Sequence, residues 1–327
     1  MVEGERPRKP EGMIDPALTR LRSPAIVCGI DRSAFSVRAA ALAATLADEL
    51  RGHVVATHVL PFRPAMVLSA APVAGRPVMR TAMHELDRDE PGFIFEAVAR
   101  AVGGAALETV VERGDAPGRL ATVARERDAL LIVVGTHSRS RPGMAMLGSV
   151  SQELVAGDAP CPVVVVGPQH SHERSTRLAP GPLVCGVDGS HEARRAADAA
   201  VGLADRMAAA LTFVAVGDDA AERDAALSGA AARARARGLE PECVGISGAP
   251  DAELADAARE RKAPLLILGS RGRGPVRAAV LGSVGAASIR RAPCPVVLVP
   301  PAGEAMQSRD AGGVKVSRGR SLKGRSD

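Results

Sequence analysis

Short, continuously apolar runs recur along the chain, separated by amphipathic stretches. "AIVCGI" (25–30), "ALLIVV" (129–134) and "CPVVVV" (161–166) lack the alternation of a half-solvated strand. Such runs predict strands buried on both faces of a parallel sheet. "VRAAALAATLADEL" (37–50) and "AELADAARERK" (252–262) carry helical spacing and strong helix formers. Strand–helix alternation predicts an α/β architecture with right-handed crossovers.

The pattern occurs twice. Residues 25–50, "AIVCGIDRSAFSVRAAALAATLADEL", align with residues 182–207, "PLVCGVDGSHEARRAADAAVGLADRM", at an offset of 157 that persists to Val59 and Val216. "DAPCPVVVVGP" (158–168) aligns with "RAPCPVVLVPP" (291–301) at an offset of about 133, so the second copy is 23 or 24 residues shorter. The first copy fills that difference with the Pro-rich residues 61–92, read as loop with room for one short helix. Each copy holds five strands, at about 25–30, 53–59, 107–112, 130–134 and 162–166 in the first. The predicted organisation is an N-terminal tail (1–22), a first α/β domain (23–168), a linker (169–180), a second α/β domain (181–301) and a basic C-terminal tail (302–327). Both tails read as disordered.

Composition narrows the function classes. Five Phe and no Tyr or Trp leave a core of Val, Leu, Ile and Ala, without the aromatic platforms that stack single-stranded bases. Of the net charge of +5, residues 303–327 carry +3 and residues 1–22 carry +1, leaving about +1 between the tails. The basic character is therefore peripheral, and nucleic acid is not an expected partner. No apolar window is long enough for a membrane span, and the N-terminus lacks the apolar core of a secretory signal. Cys28, Cys161, Cys185, Cys243 and Cys294 form no CxxC pair, and read as small buried residues in a reducing, cytoplasmic setting.

Candidate chemistry sits at strand ends, where open α/β sheets bind ligands. One recurrent feature is the turn after the first strand, "GIDRS" or "GVDGS", with Asp31 and Asp188. The other is a 15-residue segment after the fourth strand, "GTHSRSRPGMAMLGS" (135–149) or "GSRGRGPVRAAVLGS" (269–283). Gly269 suits a sharp turn or a positive φ, and Gly272 an anion close to the main chain. Gly282 and Ser283 stand at a predicted helix start, where free N–H groups and the dipole attract phosphate. Ser283 either meets that phosphate or caps its own helix, and Asp188 with Ser190 fits ordinary capping as well. No GK[ST] or third fingerprint glycine makes this a Walker or dinucleotide motif.

Gly269-x2-Gly272-x9-Gly282-Ser283, the "GVDGS" turn and "APCPVVLV" at the fifth strand together resemble the universal stress protein family, in its tandem-domain form. The similarity covers about residues 23–168 and 181–301. It implies two doubly wound domains, each a five-stranded parallel sheet of order 3-2-1-4-5 with helices on both faces. It also implies bound ATP, with Mg²⁺, in the ATP-binding branch of the family. Carried onto the second copy, the resemblance assigns Gly186 and Asp188 to the first turn, with Asp188 at the ribose or a phosphate-bound Mg²⁺, Val216 to adenine, and Gly269, Arg271 and Gly272 to the loop. Gly282, Ser283 and Val284 receive the phosphates. In the first copy Gly29, Asp31, Val59, Gly135, Gly148, Ser149 and Val150 match, but Ser138 stands where the family has glycine. Serine costs about 1 kcal/mol or more there if the position needs positive φ, and fits if it needs only to be small.

The expected function is a nucleotide-dependent regulatory module in stress response. The alternatives are a weak ATPase or adenylyl- or phosphoryl-transferring enzyme, and a nucleotide-free dimerisation scaffold. No motif declares a catalytic residue. The apolar fifth strands are expected at sheet edges, where they would pair with each other within one chain or across a homodimer.

Overall fold

A computed structural model describes residues 23–61, 82–136, 148–157, 159–167, 178–272 and 281–301, with backbone alone for 82–91. The predicted tails, most of the linker and Ser138 lie outside the described residues. The first half runs β1 (Ala25–Ile30), α1 (Ala34–Glu49), β2 (His53–Leu60), α2 (Ala82–Val102), β3 (Leu107–Arg113), α3 (Ala116–Glu126), β4 (Leu131–Gly135), α4 (Ser149–Ala156) and β5 (Val163–Val166). The second half repeats the order: β6 (Leu183–Gly186), α5 (His191–Met207), β7 (Leu211–Val216), α6 (Ala220–Arg235), β8 (Glu242–Ile246), α7 (Pro250–Glu260), β9 (Leu266–Gly269), α8 (Ser283–Arg291) and β10 (Val296–Val299).

The ten strands of the described residues share one sheet, ordered β3-β2-β1-β4-β5-β10-β9-β6-β7-β8. Each half is parallel and has the order 3-2-1-4-5. The halves meet at β5 and β10, which pair antiparallel with Val164 opposite Val297. The apolar fifth strands, each the edge of its own half, thus cover one another, and Val163 to Val166 have no exposed surface. The true edges are β3 and β8, which carry Glu108, Glu112 and Glu242 along half-solvated strands. Charged edges disfavour further strand pairing.

Successive strand residues point to opposite faces. Ile26, Cys28 and Val54 belong to the core on the face covered by α1, α2, α5 and α6, whereas Val27, Val55 and Ile132 belong to the core on the face covered by α3, α4, α7 and α8. Both cores run unbroken across the β5–β10 seam. Alanines such as Ala39, Ala43 and Ala196 let the helices lie close to the sheet, and Phe213 is a fully buried aromatic.

Two expectations change. Residues 61–92 contain the start of a 21-residue helix, Ala82–Val102, despite Pro91. Its later turns carry Ile94 and Val98, buried at helical spacing in the core beside α1, and this tertiary burial outweighs the local proline signal. Cys243 is exposed on edge strand β8, whereas Cys28, Cys161, Cys185 and Cys294 are buried. Burial pushes the Cys28 and Cys294 thiols up to about 12.

Candidate functional site: two matched cavities at the strand ends

A cavity of about 200 Å³ opens at the carboxyl ends of β6 and β9. All nine residues singled out in the second copy line it: Gly186 and Asp188 after β6, Val216 ending β7, Gly269, Arg271 and Gly272 after β9, and Gly282, Ser283 and Val284 at the start of α8. Their convergence follows from the parallel order, because β6 lies between β7 and β9 and all three end on the same side. Val214, Pro250 and Leu254 also line the cavity. No motif marks them, although Leu254 has a matched partner, Leu120, in the first copy.

Asp188 and Ser190 divide the work of the turn. The Ser190 N–H donates to Asp188 Oδ1 at 2.9 Å, while Ser190 Oγ accepts from Ala193 N–H at 3.1 Å and caps α5. Capping thus falls to the serine. The second carboxylate oxygen faces the loop: a Cβ on Gly272 would lie 2.9 Å from Asp188 Oδ2. Gly272 is not among the positive-φ residues, so its glycine answers to that close approach rather than to backbone conformation. Gly269 has the same kind of explanation. Its missing Cβ would lie 2.9 Å from the backbone carbon of Glu192 in the first turn of α5.

The α8 cap is Gly282, with no side-chain capping bond, so Ser283 does not cap its helix. The first intrahelical bond runs from Ala286 N–H to Gly282 C=O. The N–H groups of Ser283, Val284 and Gly285 precede it and face the end that attracts anions. Arg271 lines the cavity and also reaches beyond its own half. Its Nη2 donates to the Ala156 carbonyl of the first half at 3.3 Å.

The first half holds a matching cavity of about 210 Å³, lined by Gly29, Asp31, Val59, Gly135, Gly148, Ser149 and Val150 among others. The Ser33 N–H donates to Asp31 Oδ1 at 2.8 Å, as at Asp188. A Cβ on Gly135 would meet Phe35 Cβ at 2.7 Å. Gly148 caps α4, again without a side-chain bond, so Ser149 does not cap either. Among the described residues no group of three or more His, Cys, Asp or Glu could hold a metal ion, and no helix is long and apolar enough to cross a membrane.

A family model for the universal stress protein family matches residues 24–167 and again 181–300. The chain belongs to the universal stress protein family. It carries the family domain twice, in tandem. It is 27% identical over 143 residues to the universal stress protein YxiE of Bacillus subtilis (strain 168), an alignment covering 36% of this chain and 97% of that protein. A universal stress protein structure from Archaeoglobus fulgidus DSM 4304 superposes with a TM-score of 0.62 at 20% identity, covering 85% of this chain and 99% of that one. A universal stress protein solved in complex with cAMP is 35% identical, covering 37% of this chain and 98% of that one, with a TM-score of 0.34.

Proposed function

We propose that the second cavity binds ATP and that this universal stress protein acts as a nucleotide-dependent regulatory module in stress response. The carrying observation is the meeting of three chemically distinct parts on one cavity: the Asp188 carboxylate, the Gly269–Gly272 main chain and the N–H groups that open α8. The apolar wall of Val214, Val216 and Leu254 supports a base, and the α8 N-terminus supports phosphates. The carboxylate directed at Gly272 fits a share in Mg²⁺ held jointly with the phosphates. The ion would neutralise phosphate charge. Asp188 would orient it and Ser283 Oγ would bond a phosphate oxygen.

The first cavity has the same frame and is proposed as a second, weaker nucleotide site. The β5–β10 pairing supports one chain acting as its own pseudo-dimer, without a second copy. The reducing, cytoplasmic setting read from the cysteines belongs to the same proposal.

Thermal unfolding of the full chain with Mg·ATP, ADP or cAMP tests the reading. Ligand at 100 times its Kd stabilises by about 2.7 kcal/mol. ATP is expected to raise Tm, and Asp188→Ala to remove most of the rise. No shift at millimolar ATP would favour the scaffold reading. ATP turnover no faster than that of Asp188→Ala is expected, and a clearly faster rate would favour the enzyme.

A further inference from the structure

Arg271 lines the second cavity, yet its guanidinium reaches out of its own half. Nη2 donates to the carbonyl of Ala156, a residue 115 positions away in sequence, at 3.3 Å. Ala156 ends α4, so Arg271 is a cation at the negative end of that helix. The arrangement is poorly satisfied. The bond exceeds the usual N–H···O range of about 2.7–3.2 Å, and its acceptor is neutral. Among the described residues, Arg271 Nε is buried with no hydrogen-bond partner. Such a nitrogen favours any rearrangement that gives it an acceptor.

The other end of α4 belongs to the first cavity. Gly148, Ser149 and Val150 line it, and the helix is only eight residues long. What holds its last turn is about two turns from the first cavity's phosphate cradle.

We propose that Arg271 couples the two cavities, an inference that rests on the nucleotide reading of the second. A phosphate there offers charged, bidentate acceptors that a guanidinium fork prefers to a single carbonyl. Arg271 turns to the phosphate and leaves Ala156. The last turn of α4 loses its cation and loosens, and the first cavity binds its anion about fivefold more weakly, within the usual scale of coupling between sites. By linkage, a ligand in the first cavity weakens the second by the same factor.

Hydrogen exchange read by mass spectrometry on the full chain tests this, with Asp31→Ala present so that Mg·ATP loads the second cavity. The reporter is the peptide over 153–157, where the Gly157 N–H bonds the Glu153 carbonyl at 2.8 Å. Saturating Mg·ATP is expected to speed exchange there several-fold. Arg271→Ala without ligand should already show the fast rate. Arg271→Lys, which gives up the fork but keeps the charge, should also exceed wild type and guards against a poorly folded alanine variant. If ATP is retained and the peptide is unchanged, or if both Arg271 variants match the ligand-free parent, the coupling is overturned. If no ATP is retained, the reading of the cavity fails, while the ligand-free variants still decide whether Arg271 restrains α4.

Discussion

In the first cavity Ser36, Thr57 and Ser151 stand where the second has Ala193, Val214 and Gly285. The added hydroxyls turn to their own backbone. Ser36 Oγ donates to the Asp31 carbonyl at 2.7 Å, Ser151 Oγ to the Gly148 carbonyl at 2.9 Å, and Thr57 Oγ1 weakly to the Val55 carbonyl at 3.4 Å. They brace the walls. The second cavity has smooth walls and an arginine whose contacts are poor. What the halves keep in common is the strand-end frame: the aspartate turn, a glycine pressed against the first turn of the helix that follows that turn, and a glycine-capped helix. Duplication has preserved the parts that set backbone positions and let the wall chemistry diverge.

The largest expected effect tests the shared frame. Gly135→Ala and Gly269→Ala each push a methyl group into the first turn of the facing helix, at 2.7 Å from Phe35 Cβ and 2.9 Å from the Glu192 backbone carbon. Overpacking of this kind costs about 1–3 kcal/mol, so both variants should unfold at clearly lower denaturant. If only one is destabilised, the two strand ends are not equivalent.

A smaller effect isolates the difference between the loops. Gly272→Ser makes the second loop resemble the first at that position and crowds Asp188 Oδ2, whose partner oxygen is tied to the Ser190 N–H. A cost of about 1 kcal/mol, or roughly fivefold in ATP affinity, is expected with little change in stability. Ser138→Gly should tighten the first cavity. Isothermal titration of both variants reads the contrast, and unchanged affinity in Gly272→Ser would show that the carboxylate simply moves aside.

The smallest effect concerns a second matched feature. Arg127 pairs with Glu108 at 2.7 Å, and Arg261 with Glu242 at 3.0 Å, each tying an edge strand to the residue after a helix. Hydrogen bonds from Arg261 hold the Glu242 carboxyl below its ordinary value of 4.5, against the opposing effect of partial burial. A lowered carboxyl pKa stabilises the fold above the unfolded value, and that contribution is lost as pH falls through the folded one. The Glu242 side chain is 54% exposed, so solvent screening leaves about 0.5 kcal/mol or less. Glu242→Gln should lower Tm slightly at pH 7 and leave it unchanged near pH 3. Equal losses at both values would assign the effect to packing.

Much of this architecture is legible in the sequence because buried parallel strands are written as unbroken apolar runs, and the repeat shows each one twice. Nine residues of the second cavity's lining are legible through the family resemblance, because its motif residues fall at strand ends, whereas Val214, Pro250 and Leu254 carry no motif. Other features depend on three-dimensional neighbours. Pro91 points away from a helix whose buried face decides otherwise. Gly272 reads equally well as positive φ or close approach until Asp188 is seen beside it. Arg271 reads only as part of the loop, since nothing local links it to Ala156. Cys243 resembles the other cysteines in sequence but lies on an edge strand.

Proposed ATP binding in the second cavity turns on the Asp188 carboxylate. Equilibrium dialysis of labelled Mg·ATP against the wild-type chain, Asp31→Ala and Asp188→Ala tests it directly. The tightest class of bound ATP is expected to survive Asp31→Ala and to weaken at least about tenfold in Asp188→Ala, the scale of losing a charged hydrogen-bonding group. Binding of equal affinity and stoichiometry in Asp188→Ala and wild type would contradict the account.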